Sequence, residues 1–73
     1  MEIGDAIRKI RNEKGLSQEK VALDAGLSRR YIYMIESGKN NPTFETLQKL
    51  SKVLNVRTSE IVKLTEEGDH SNR

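Results

Sequence analysis

The chain contains no cysteine, so neither a disulfide frame nor a thiolate metal site is open to it, and a reducing cytoplasm is the expected compartment. Its single histidine, His70, lies in a polar C-terminal run, which leaves a histidine-based metal or catalytic cluster without members. No serine stands at a readable spacing from a base, and the carboxylates are scattered over solvent faces. An enzyme is therefore not expected, nor a metal, cofactor or small-molecule ligand. No apolar stretch approaches the roughly 18 residues of a membrane span, and the start, MEIGDAIRKI, lacks the apolar core of a signal peptide. Strand-like alternation and internal repeats are missing as well.

What remains is short and charged. At 73 residues the chain is one small domain, which buries roughly 60% of its unfolded surface and has no room for a large substrate cavity. The net charge of +2 understates its basic part, because Glu66, Glu67 and Asp69 oppose only Arg73 in the last nine residues. Residues 1–64 hold 12 cationic and 8 acidic side chains. A surplus of that sign suits a polyanionic partner but does not prove one, so placement has to decide.

The apolar residues recur at helical spacing, and five short helices are expected, an all-α fold. Ile3, Ala6, Ile7 and Ile10 form the first stripe, which Gly15 ends before Leu16 enters the core. Ser17 can cap a second helix with Val21, Ala22 and Ala25 inward, and Gly26 turns the chain. Ser28 can cap a third, held by Ile32 and Ile35 and stopped at Gly38. Asn41 is extended before Pro42, and Thr43 can cap a fourth helix carrying Phe44, Leu47, Leu50, Val53 and Leu54. Thr58 is the expected cap of a fifth helix with Ile61, Val62 and Leu64. Residues 65–73 carry no apolar side chain and read as a disordered tail after a 1–64 domain.

The second and third helices carry the functional signal. A short turn containing glycine sets two helices steeply across each other, which needs a small residue at the crossing (Ala22), positive φ in the turn (Gly26), and apolar anchors (Leu27, Ile32, Ile35). All are present. With Ile32 and Ile35 inward, Arg29, Arg30, Tyr33 and Met34 fall on the outer arc of the third helix. Arginine in a first turn opposes the helix dipole at a cost of up to about 1 kcal/mol, so helix stability does not explain the placement. A phosphate or a guanine edge would.

The stretch GLSQEKVALDAGLSRRYIYMIESGKNNPTFETLQKLSKVLNV, through GLSQ, AGLS, YI..IE.G and NPT..TL.KL at their spacing, resembles the helix-turn-helix domain of the lambda-repressor and Cro (XRE) family, over roughly Ile3 to Leu64. The resemblance implies a compact five-helix DNA-binding domain whose third helix enters the major groove of double-stranded DNA while the second lies across the backbone. Arg29 and Arg30 are then candidates for bidentate pairing with guanine, the alternative being two solvated arginines. Met34 and Tyr33 complete the base-facing set, Tyr33 being able instead to offer its hydroxyl to phosphate. Met34 either meets a thymine methyl, stands as a spacer, or is partly buried. Gln18, Ser28, Lys39, Asn40, Asn41 and Thr43 match positions suited to phosphate, the alternative for GKNNPT being an ordinary capped loop, and Tyr31 either joins them or packs near Phe44. Arg11 and Glu36 match a partly buried ion pair that fixes the recognition helix to its scaffold.

One helix reads about four or five base pairs, too few to single out a genomic site, so a homodimer on a palindromic operator is expected. The candidate seam is the fifth helix, through Ile61, Val62 and Leu64: Ile61 and Leu64 can serve the core at i, i+3, which leaves Val62 with surplus apolar surface, the alternative being a lone exposed valine on a monomer. The length resembles that of restriction-modification controllers and small phage-type repressors. A rival reading is an adaptor or antitoxin that holds a protein partner, favoured by Leu23 on the second helix. Outward positions of the third helix serve the first reading, and Leu23 with Val62 the second.

Overall fold

Each expected helix forms. The computed structural model describes residues 1–70, with side chains as far as Glu66, and its helices run α1 (Ile3–Glu13), α2 (Gln18–Ala25), α3 (Arg29–Glu36), α4 (Phe44–Leu54) and α5 (Thr58–His70). No strand occurs among the described residues.

The helical periodicity converts directly into packing. α1 packs on α3 and α5, α2 on α3 and α4, and α4 on α5. Every helix sends at least one large side chain to the fully buried centre: Ile7, Val21, Ile32 with Ile35, Leu50 with Leu54, and Ile61. Burying such a residue is worth about 1.5 to 3 kcal/mol, which matters because α2 and α3 have eight residues each and would not persist alone.

Three helix starts are closed as their residue types require. The hydroxyl oxygens of Ser17, Ser28 and Thr43 accept from the backbone N–H of Lys20, Tyr31 and Thr46 at 3.0, 3.0 and 3.1 Å. The fourth cap differs from expectation. Thr58 is the first helical residue of α5, and its hydroxyl donates to Ser51 Oγ at 3.0 Å, tying α5 to α4. The free end is served instead by Glu60, whose carboxylate accepts from the Arg57 N–H at 3.1 Å.

One further expectation is corrected. Phe44 does not enter the core: as the first residue of α4 it is 67% exposed. Beyond Leu64, the run expected as a tail continues α5 as far as His70. Once a helix is nucleated by buried turns, adding polar residues costs little, and Thr65 Oγ1 donates to the Val62 carbonyl at 2.6 Å on the way. Residues 71–73 of that expected tail lie outside the described residues.

A constraint absent from the pattern reading sits at Gly4. It is buried where α1 meets the end of α3, and an added Cβ would overlap the Ile35 carbonyl oxygen and lie 3.0 Å from that of Glu36. In an open helix, Gly4→Ala would stabilise by about 1 kcal/mol. Here overpacking wins, and a net loss of roughly 1 to 3 kcal/mol is expected, a fall of several degrees in the thermal midpoint. A midpoint equal to or above that of the parent would show that α1 slides away freely.

Candidate nucleic-acid interface

Gly26 is the hinge of the site. With φ of 69° it takes the left-handed conformation that a side chain disfavours, and the Leu27 N–H returns to the Ala22 carbonyl at 2.9 Å. Ala22, 3% exposed, lets α2 and α3 approach, while Ile32 and Ile35, each 1% exposed, hold α3 from within.

Anchoring those two isoleucines turns the rest of α3 outward. Arg29, Arg30 and Tyr33 are exposed, and they line one cleft with Gln18 from the start of α2. A contiguous depression is lined by Arg11, Ser17, Gln18, Glu19 and Arg29. Met34 is half-buried, and its carbonyl accepts from the N–H of Lys39 at 3.0 Å and of Asn40 at 3.2 Å. The end of α3 therefore carries the Lys39–Asn41 loop, whose residues are all exposed. Thr43 is exposed too, with its hydroxyl donating to that of Thr46 at 3.0 Å, and the exposed Ser28 accepts from the Tyr31 N–H through its hydroxyl oxygen at 3.0 Å.

Behind this surface lies a closed polar network. Glu36, 3% exposed, accepts from Arg11 Nε at 2.7 Å and Nη2 at 2.9 Å, a bidentate pair. Arg11 Nη1 donates to the Leu16 carbonyl at 2.8 Å, and Gln18 Nε2 donates to Glu36 at 3.1 Å. No buried side-chain nitrogen or oxygen among the described residues lacks a partner. The hydrogen bond to Glu36 outweighs burial and raises the Arg11 pKa further above its ordinary value. The guanidinium stays charged at any pH where the domain folds.

Residues 7–61 match the family described as helix-turn-helix. The chain belongs to that family. An uncharacterized HTH-type transcriptional regulator, y4dJ of Sinorhizobium fredii, is 40% identical over 65 residues, covering 89% of this chain and 84% of its own. Control protein C.BamHI of Bacillus amyloliquefaciens is 37% identical over 67 residues, covering 90% and 83%. The crystal structure of the biofilm regulator SinR in complex with DNA matches with a TM-score of 0.78 and 36% identity, over 82% of this chain and 97% of that one. This helix-turn-helix protein is a DNA-binding regulator of transcription.

Within this helix-turn-helix domain the expected residues do not all meet. Gln18, Arg29, Arg30 and Tyr33 come together, and Lys39, Asn40 and Asn41 form a second exposed group at the far end of α3. Tyr31 is half-buried against the core. Ile61 is 0% exposed and belongs wholly to the core, so it leaves Val62 and the half-buried Leu64 as the outward apolar part of α5. Among the described residues no group of acidic, histidine or cysteine side chains could hold a metal, and no helix is long and apolar enough to cross a membrane.

Two features were missed at the sequence level. Gly4 had a readable signal, a glycine inside an amphipathic stripe. The Gln18–Glu36 bond had none, because residues 18 apart in sequence meet only through the tertiary fold.

The network sets a stability test. Arg11→Met leaves the Glu36 carboxylate buried and unpaired and should cost roughly 3 to 5 kcal/mol in urea denaturation, while adding Glu36→Leu should restore most of it. A cation whose folded pKa is raised contributes its full share below its ordinary titration range and loses it only above, so the loss should be level from about pH 6 to 9. A loss under about 1 kcal/mol would mean that water reaches the pair.

Proposed function

We propose that this regulator reads a specific double-stranded DNA sequence as a homodimer on a palindromic operator, with α3 in the major groove. The observation that carries the reading is the cleft in which Arg29, Arg30 and Tyr33 stand on the outward side of α3 beside Gln18 of α2. α3 has no acidic residue in its first turn, so its cationic start is uncompensated within the helix.

Roles follow from position. Arg29 and Arg30 reach base edges, where a guanidinium can pair with guanine O6 and N7 for roughly 1 to 3 kcal/mol of discrimination. Tyr33 and Met34 offer apolar surface to a thymine methyl. Gln18 and Ser28 hold backbone phosphates on one side, with Lys39, Asn40, Asn41 and Thr43 on the other. Tyr31 contributes through its hydroxyl, its ring serving the core. Two copies joined through Val62, 38% exposed, and Leu64 would place two α3 helices about one DNA turn apart.

A second reading, an adaptor or antitoxin for a protein partner, rests on Leu23, which is 75% exposed on α2. The two predict opposite sensitivities. Selection from random duplex DNA should return a two-fold symmetric site, and Arg29→Ala or Arg30→Ala should weaken binding to it by about tenfold or more while leaving non-specific binding nearly unchanged. An equal loss on every sequence would reduce both to phosphate contacts. Enrichment of no sequence, together with full retention of a protein partner that Leu23→Ser abolishes, would establish the adaptor instead. For the seam, sedimentation at micromolar concentration should show a dimer that Val62→Asp dissociates, and a parent that sediments as a monomer would remove it.

A further inference from the structure

Glu36 does more than pair with Arg11. Its Oε1 is shared by two donors, Arg11 Nη2 at 2.9 Å and Gln18 Nε2 at 3.1 Å, while Oε2 takes Arg11 Nε at 2.7 Å. Gln18 is the first residue of α2 and lines the cleft with Arg29, Arg30 and Tyr33. One buried carboxylate thus links the core to a side chain on the DNA-facing surface.

The chemistry of that link determines which way the amide points. An ionised carboxylate only accepts, so the NH2 end of Gln18 must turn toward it. One N–H is then used on Glu36, and the second projects from the same planar group in a direction the side chain cannot easily change. A free glutamine would lose considerable rotamer freedom on binding, whereas this one has lost it already. The backbone N–H groups of Gln18 and Glu19 lie at the same helix end, ahead of the first intrahelical bond, which Val21 donates to the Ser17 carbonyl at 3.1 Å.

We propose that Glu36 is a positioning residue for DNA-backbone recognition, holding the Gln18 amide so that its second N–H is presented, already ordered, to a phosphate at the start of α2. The inference rests on the reading that α2 crosses the DNA backbone. Arg11 fixes Glu36, Glu36 fixes Gln18, and Glu36 is the last residue of α3. The phosphate contact on α2 and the base-reading face of α3 are thereby held in one register.

The test uses the selected operator with one phosphate at a time replaced by an uncharged methylphosphonate. The parent protein should lose about tenfold in affinity at the phosphate facing α2 and at those facing the Lys39–Asn41 loop. Gln18→Ala should bind the natural operator about tenfold more weakly and become indifferent to the first replacement alone. Glu36→Gln, checked for folding by circular dichroism, should reproduce that pattern although Gln18 is present. Should Glu36→Gln fail to fold, Glu36→Asp takes its place, keeping the charge for Arg11 but shortening the reach to Gln18. A folded Glu36 variant that retains full sensitivity at the α2 phosphate, or loses affinity equally at every phosphate, would overturn the inference while leaving DNA recognition intact. A parent indifferent to replacement at every position would overturn the reading of α2 itself.

Discussion

The buried contact between Arg11 and Glu36 is the constraint around which the domain is arranged. With side chains 11% and 2% exposed, the pair lies in the interior of a small domain, where desolvation opposes Coulomb attraction. Two apolar residues of similar volume would serve stability about as well. What they would not supply is direction. The guanidinium and carboxylate meet in one geometry, Leu16 and Gln18 complete it, and α1, the entry to α2 and the end of α3 are brought to a single point. The buried pair therefore fixes the relative placement of the three helices that meet at it.

Orientation matters because the functional helices are weak in themselves. α2 and α3 span about two turns each, and neither would hold its shape without its neighbours. Ser28 closes the start of α3, two isoleucines hold its middle, and at its end Glu36 is bonded while Gly4 allows α1 to rest against its carbonyls. Exposed arginines on a helix held at both ends and along its inner face can be aimed. On a fraying helix they would add charge without register.

The pattern of apolar residues made most of this legible, because burial enforces periodicity: Ile7, Ile32, Ile35, Leu50 and Leu54 face inward as the spacing requires. Arg11 and Glu36 were legible only through resemblance, since no local rule pairs residues 25 apart in sequence. The failure at Phe44 has a physical cause. Periodicity reports the face a side chain takes but not whether a neighbour covers that end of the helix, and Phe44 at the first position of α4 has the right face and no cover. Ile61, named in the candidate seam, is fully buried, while Val62 beside it is 38% exposed.

The charges at the helix starts set α3 apart from the other four helices. α1, α2, α4 and α5 each carry an acidic residue in the first turn, Asp5, Glu19, Glu45 and Glu60, where the helix dipole favours one. α3 carries none and has two arginines there instead. Four helices obey the electrostatic rule and one reverses it, on the single outward turn that lines a cleft with Gln18. The reversal costs the free domain little in water, because both arginines are exposed and screened. Against a polyanion, the same arrangement turns from an unfavourable pairing into a favourable one. A first turn that reverses the dipole rule, on a helix held from within, is suited to an external anion, which is the reading proposed above for α3.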